Sequence, residues 1–292
     1  MTANTNKSGC PGPAHSEYGG NTPVSYNTYL KVQELKMLQQ CLSEPAHHDE
    51  PLFIIIHQTY ELWFKLILHE IDEAMKLMEA GSVRRANWFL RRVVAIFKVL
   101  VSQIHVLETM SPRDFLGFRN KLNPASGFQS SQFREIEIAC GMRDKQIMEH
   151  FRQDDTSFKE LEARANQPSL RNGFYQLLRR KGFILPEMDA PEEQTNPADE
   201  KEATYLENQR IQEIRKLYEQ TEKYPDLHDL AETLVDIDEQ IALWRTHHVT
   251  VVERVIGFKR GTGGSEGVGY LRSTLTKRCF PDLWKVRTVL EA

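Results

Sequence analysis

Cysteine is scarce in this 292-residue chain, and the four cysteines stand far apart at Cys10, Cys41, Cys140 and Cys279. No C-x-x-C pair occurs among them, so the spacing argues against a disulfide framework and against a cysteine-ligated zinc site. Scattered cysteines without such pairs are typical of a reducing compartment. The sequence therefore predicts a cytoplasmic protein.

Long apolar runs and an excess of positive charge are missing as well. No stretch approaches the roughly 20 apolar residues that cross a bilayer. The N-terminus has no basic region followed by an apolar core, which a secretory signal would have. The net charge is −4, which offers no general attraction for nucleic acid or for an anionic membrane. Neither is expected as a partner.

Alternating strand patterns and internal repeats are absent, and helical spacing dominates from Ser25 onward. The pattern predicts helices near 25–41, 51–80, 82–109, 127–151, 155–165, 168–181, 201–222, 226–258 and 266–278. Residues 1–24 are rich in Gly, Pro, Asn, Ser and Thr, which predicts a disordered tail. Residues 25–292 are expected to form one all-α helical bundle, with the acidic stretch 186–201 as an exposed loop.

A helical apolar stripe near the C-terminus contains a single histidine. Its positions, at spacings of three and four, are Leu234, Ile237, Ile241, Trp244, His248, Val251 and Val255. A buried histidine needs partners for its ring nitrogens, and a metal is one such partner. Taken alone, however, a histidine in this setting is more often an ordinary core residue.

The segment that follows this stripe is rich in glycine and positively charged. Gly257 is suited to end the helix, and the loop K-R-G-T-G-G, residues 259–264, offers backbone N–H groups and positive charge to an anion. Glu266 stands where a dinucleotide-binding fingerprint needs its last glycine. A histidine ligand beside an anion-accepting loop suits iron protoporphyrin, whose propionates are anionic.

A second histidine has a comparable environment near the N-terminus. The stripe consists of Phe53, His57, Tyr60, Phe64, Ile67 and Ile71. Phe53 and His57 are one helical turn apart and therefore face the same space. An aromatic ring beside an imidazole could receive a flat aromatic ligand and accept a hydrogen bond from its N–H. A core histidine is again the alternative.

A third segment, Met110–Arg134, combines aromatic residues with an arginine. Phe115, Phe118 and Arg119 are predicted on a short helical turn that a P-A-S-G run breaks. The Arg119 guanidinium could bind a carboxylate through two hydrogen bonds, or it could be a surface arginine packed on Phe115. The residues A-H-H-D-E, 46–50, could ligate a metal, but their adjacency favours the start of a helix.

With these segments the chain resembles the tryptophan 2,3-dioxygenase family from about Ser25 to about Thr288. The motifs that carry the resemblance are S-E-P-A-H-H-D-E, H-Q-T-Y-E-L-W-F-K, P-A-S-G-F-Q-S, L-W-R-T-H-H and V-I-G-F-K-R-G-T-G-G. The resemblance implies an all-helical homotetramer with haem b (iron protoporphyrin IX). It implies that the chain oxidises L-tryptophan with O2 to N-formylkynurenine, the first step of the kynurenine pathway. Because C-x-x-C-H is absent, the haem would not be attached covalently.

The resemblance also implies roles for individual residues. His248, rather than His247, would be the proximal haem ligand, with Ser126 and Gly261 also at the haem. The substrate residues would be Phe53 and Phe115 beside the indole, His57 as acceptor of its N–H, Arg119 at the carboxylate and Thr262 at the amino-acid end. Tyr26, Tyr29 and Leu30 would complete the active site of a neighbouring subunit.

Three other functions remain as alternatives. The chain departs from the family at Phe115, where some relatives have a tyrosine, and at Ile56, where relatives often have a polar or β-branched residue. A related enzyme that inserts one oxygen atom into a methylated tryptophan is the nearest alternative, because the motifs do not separate it from a true dioxygenase. A haem- or tryptophan-binding sensor without turnover is the second, and His57, Arg119 and Thr262 argue against it, since a pure haem sensor needs no group that binds a carboxylate. A plain helical interaction protein would bind no haem.

Overall fold

The structure, a computed structural model, describes residues 24–186, 197–259 and 267–291. The chain divides into two compact units, with the boundary between Gln40 and Cys41. In the first unit, α1 (Tyr26–Tyr29) and α2 (Val32–Leu35) are short helices. Lys31 between them has φ +55°, a left-handed conformation that interrupts a right-handed helix. The prediction of one continuous helix over 25–41 is therefore wrong.

The second unit is built from helices, and the all-α prediction is confirmed for the described residues. Its helices are α3 (Glu50–Glu79), α4 (Val83–Leu107), α5 (Pro112–Arg119), α6 (Ser131–Cys140), α7 (Lys145–His150), α8 (Asp155–Ala165), α9 (Leu170–Arg180), α10 (Pro197–Glu219), α11 (Pro225–Ile256), α12 (Val268–Ser273) and α13 (Pro281–Lys285). Within the described ranges, no single helix combines the length and hydropathy needed to cross a bilayer. One bent pair, Val83–Leu107 with Pro112–Leu122, passes on length and composition only.

Two predicted helices are shorter in the structure. The expected helix 127–151 is a 3-10 turn (Gly127–Gln129) followed by α6 and α7. Ser130 caps the start of α6 by accepting a hydrogen bond from the backbone N–H of Phe133, and Gly141 ends it with φ +119°. The expected helix 266–278 is confined to α12.

The core lies where α4 packs against both α3 and α11. Fully or almost fully buried apolar side chains from the three helices meet there, among them Ile67, Ile71, Leu90, Phe97, Leu234, Ile237 and Ile241. The remaining apolar members of the predicted stripes of α3 and α11 are buried as well, except Phe53, which is half-buried like the two histidines of the stripes, His57 and His248. Because each stripe continues into a histidine, the packing of the core brings His57 and His248 to neighbouring positions.

One buried carboxylate attaches the C-terminal segment to α11. Asp238 is 1% exposed and accepts hydrogen bonds from the backbone N–H groups of Cys279 (2.9 Å) and Phe280 (3.1 Å) and from Nε1 of Trp284 (2.9 Å). A buried acceptor with three donors stabilises the fold mainly because losing it would leave those donors unsatisfied.

Replacing Asp238 by asparagine is expected to lower the free energy of unfolding by about 2 kcal/mol, because one carboxylate oxygen becomes an N–H donor facing other donors. Urea denaturation measures the change. Asp236→Asn, an exposed position on the same helix, is the matched control and should unfold like the parent protein. An equal loss of stability in both variants would contradict the role given to Asp238.

Candidate active site

A cavity of about 520 Å³ opens in the second unit, within the usual size range of small-molecule sites. Residues of α3, α5, α6, α11 and α12 line it. The predicted site residues among them are Phe53, His57, Phe115, Arg119, Ser126 and His248. Gly261 and Thr262 lie outside the described residues, and Tyr26, Tyr29 and Leu30 belong to the first unit. Six positions chosen from separate segments thus surround one space.

His57 has a defined hydrogen-bond state. Its Nδ1 lies 2.7 Å from the backbone carbonyl oxygen of Phe53. Because a carbonyl only accepts, Nδ1 carries the proton and donates it, and Nε2 is left as an acceptor. Burial lowers the pKa of His57, outweighing the hydrogen bond to Phe53 and the charge of Glu61, which raise it. The ring is therefore neutral at pH 7 and can accept an N–H from a ligand.

Aromatic rings surround this histidine. The ring of Phe53 lies 4.1 Å from that of His57, and the ring of Phe115 lies 5.5 Å from that of Phe53. Phe115 and Arg119 are on α5, which Ser111 caps by accepting from the N–H of Asp114. The predicted short turn is therefore a two-turn helix, with Arg119 as its last residue. Its spacing of four puts Phe115 and Arg119 on one face of α5.

His248 lies on α11, and its ring stacks on Trp244 at 5.1 Å with the planes 12° apart. Burial, with smaller contributions from His57 and Arg134, lowers the pKa of His248 to about 4. At pH 7 the imidazole is neutral, which is the form that ligates a metal. His247 does not line the cavity and contacts His105 instead, with ring centroids 5.4 Å apart.

The segment around Ser126 is attached to α3. Ser130 donates from Oγ to the carboxylate of Glu61 (2.6 Å), and Gln132 donates from Nε2 to the same group (2.8 Å). Ser126 caps the 3-10 turn by accepting from the N–H of Phe128. Glu61 lies one turn beyond His57, so the same helix holds this wall and the histidine in place.

Arg134 and Tyr270 are among the polar residues of the cavity that the sequence reasoning missed. The buried Nε of Arg134 and the buried Oη of Tyr270 have no hydrogen-bond partner among the described residues, and both side chains line the cavity. Buried donors are normally satisfied, so these two side chains are candidates for contact with a bound polar group. In the sequence, Arg134 was noted only as the last residue of the aromatic segment, without a role.

The part of the cavity wall around Arg134 has a net positive charge. Glu137 is buried and accepts hydrogen bonds from Arg134 (2.7 Å) and from the buried Arg245. Burial raises the pKa of Glu137, but the two guanidinium groups outweigh it and hold the pKa below its usual value. Two cations therefore face one carboxylate, and an anionic ligand group would balance the remaining charge.

These features fit a haem. The neutral imidazole of His248 can ligate iron, and the unsatisfied donors of Arg134 and Tyr270 can meet propionate oxygens. Elsewhere on the wall, an imidazole acceptor, two phenylalanine rings and an arginine suit an aromatic amino acid. The fold and the cavity thus define an all-helical protein equipped for haem and a planar carboxylate-bearing ligand.

Comparison with known proteins agrees with this class. The family model described as Tryptophan 2,3-dioxygenase matches residues 12–181 and 199–290. The tryptophan 2,3-dioxygenase of Herpetosiphon aurantiacus is 44% identical over 268 residues, which cover 91% of this chain and 98% of the relative. The enzyme of Myxococcus xanthus is 40% identical over 268 residues (91% and 90%), and that of Xanthomonas campestris pv. campestris is 40% identical over 275 residues (94% and 89%). The chain belongs to the tryptophan 2,3-dioxygenase family, as its motifs predicted.

Proposed function

We propose that the protein is a haem-dependent oxidoreductase that uses O2 to convert L-tryptophan to N-formylkynurenine. Membership of the family supports this reaction. The observation that carries it is the single cavity in which His248 lies on one helix while Phe53, His57, Phe115 and Arg119 lie on two others. A protein that only binds haem has no use for an arginine and an imidazole acceptor on the same wall.

Haem b is the proposed cofactor, and it would supply the activation of O2, which no amino-acid side chain provides. His248 would ligate the iron through its neutral ring. Arg134 and Tyr270 would hold the propionates through donors that are otherwise unsatisfied. Ser126 and Gly261 would lie at the haem as well, Gly261 by resemblance to the family only.

The remaining residues would bind and orient the substrate. Arg119 would hold the carboxylate, while Phe53 and Phe115 flank the indole ring. His57 would accept the indole N–H through Nε2, since Nδ1 is already donating to Phe53. By resemblance to the family, Thr262 would contact the amino-acid end. Fixing the indole plane at both ends holds its reacting carbons in one place, which is worth more than binding alone.

His57→Ala is expected to raise the KM for L-tryptophan about 5-fold, the worth of one neutral hydrogen bond of about 1 kcal/mol. The variant should retain haem, because His57 orients the substrate and does not hold the cofactor. Steady-state kinetics and the haem spectrum measure both effects. His69→Ala, an exposed histidine on the same helix, is the control. Unchanged saturation by L-tryptophan in the His57 variant would contradict its role.

The product of the reaction tests the proposed function directly. Reduced protein is mixed with L-tryptophan under labelled O2, and the product is identified by mass spectrometry. Gain of two labelled oxygen atoms is expected. Gain of one would identify the related enzyme that forms oxindoles from substituted tryptophans, and absence of a product together with absence of haem would refute both.

A homotetramer is proposed on the same resemblance. Tyr26 and Tyr29 are 76% and 75% exposed in the first unit, and Leu30 is exposed as well. Aromatic side chains so exposed are typical of surfaces that another chain covers. A neighbouring subunit that covers these side chains would account for their exposure, and they would complete its active site. Light scattering after size exclusion should give four times the chain mass of 33.9 kDa, and a monomer would refute the proposal.

A further inference from the structure

We propose that His47 is a positioning residue for substrate binding: its ring packs directly on the backbone of Gly117 and so fixes α5, which carries Phe115 and Arg119. The inference deepens the proposed function and rests on it, because it assumes that Arg119 binds the substrate carboxylate. His47 itself does not line the cavity. It acts through the helix that does.

The contact requires a glycine. A Cβ atom placed on Gly117 would lie 2.8 Å from Cδ2 and 2.9 Å from Nε2 of His47, closer than carbon atoms pack. Gly117 is inside α5 and has no positive φ, so the backbone conformation does not demand glycine there. A glycine inside a helix costs about 1 kcal/mol relative to alanine. The close approach of the histidine ring explains why a glycine occupies position 117.

Hydrogen bonds within residues 42–50 fix the position of the His47 ring. Its backbone N–H donates to Oγ of Ser43 (2.8 Å), and its Nδ1 accepts from the N–H of Asp49 (3.2 Å). Glu50, the first residue of α3, accepts from the N–H groups of Leu42 (2.6 Å) and Ser43 (3.1 Å) and from the Ser43 hydroxyl. This network attaches residues 42–49 to the start of α3. The ring therefore meets α5 from a fixed position.

The contact continues into the cavity wall. Phe118, which is fully buried, lies 5.5 Å from the ring of His47, 5.8 Å from that of Phe53 and 5.4 Å from that of Phe115. His47 and Gly117 thus set how closely α5 approaches the first turns of α3. A displacement of α5 would move the Arg119 guanidinium away from the substrate carboxylate, and a bidentate charge-assisted contact depends on its geometry.

Gly117→Ala is the first variant to measure, in the haem-loaded protein. Its KM for L-tryptophan should rise about 10-fold while kcat changes much less, since the haem side of the cavity is untouched. Gly269→Ala is the matched control: Gly269 is an exposed helical glycine with no atom within 4 Å of an added Cβ, and its KM should equal that of the parent. Melting temperatures and haem spectra of both variants verify the fold.

His47→Ala and the double variant with Gly117→Ala distinguish positioning from simple destabilisation. His47→Ala should raise the KM about 3-fold, because α5 loses its support. The KM of the double variant should not exceed the KM of His47→Ala, because removing the ring removes the clash that the added methyl group causes. If the two effects multiply, or if Gly117→Ala leaves the KM unchanged, the inference is overturned.

Tryptamine, which lacks the carboxylate, separates this inference from the proposed function. Its dissociation constant, measured by competition, should rise less in Gly117→Ala than the KM for L-tryptophan does, because tryptamine makes no contact to Arg119 and loses only part of its contact to Phe115. Arg119→Leu is measured alongside. If Arg119→Leu weakens L-tryptophan but Gly117→Ala does not, the positioning role alone fails. If Arg119→Leu affects neither ligand, the carboxylate role fails and the inference fails with it.

Discussion

Replacing His248 by alanine is expected to leave the purified protein nearly colourless. The residue is the predicted iron ligand, its pKa of about 4 keeps it neutral at pH 7, and it faces the cavity from a rigid helix of the core. Loss of an outer hydrogen-bond partner of a metal ligand already costs about 10- to 100-fold in affinity. Loss of the ligand itself should weaken haem binding by on the order of 100-fold or more. The Soret absorbance of protein expressed with added porphyrin precursor measures it.

The neighbouring histidine provides the control for this experiment. His247→Ala removes an imidazole one residue away whose ring contacts His105 outside the cavity, so this variant should bind haem like the parent. Free imidazole added to the His248→Ala protein should restore part of the absorbance by occupying the vacated space. An unaltered ferrous spectrum in His248→Ala, or equal loss of haem in the His247 variant, would contradict the ligand assignment.

The two histidine stripes could be predicted from the sequence because their evidence is local. Each stripe follows the 3.6-residue period of a helix, so His57 and His248 were placed on buried faces before any tertiary contact was known. A stripe does not indicate which helices become neighbours in the fold. That Phe53, Arg119 and His248 surround one cavity follows from the packing of α3, α5 and α11, whose contacts span long separations in sequence.

Arg134 illustrates what sequence reasoning lacked. Arg245, which shares Glu137 with it, is 108 residues away from that carboxylate in the chain, so no local pattern reveals the group. An arginine on an amphipathic helix is normally a surface residue, and only the fold buries this one beside the cavity. Gly141 is different: its position after the apolar stripe of α6 is a recognised helix end, and reading it so would have divided the predicted helix 127–151.

Phe115 increases the importance of Arg119. A tyrosine at that position, as in some relatives, would add a hydroxyl group near the carboxylate, whereas the phenylalanine of this chain supplies only an apolar ring. In the proposed binding mode, fewer polar groups then share the substrate carboxylate, and Arg119 would carry more of the binding free energy. Removal of the Arg119 guanidinium should therefore be more costly here than in an enzyme that has the tyrosine.

Arg119→Leu is expected to raise the KM for L-tryptophan about 10- to 100-fold, because a charge-assisted bidentate contact is worth roughly 1.5–3 kcal/mol. Haem content should not change, since the proposed haem ligand, His248, lies on α11. Arg113→Leu makes the same substitution at an exposed position of α5 and should leave the KM unchanged. Arg119→Lys should fall between the two, because it keeps the charge and loses the second hydrogen bond. An equal KM for the lysine variant and the parent protein would mean that charge alone, and not the paired geometry of the guanidinium, recognises the carboxylate.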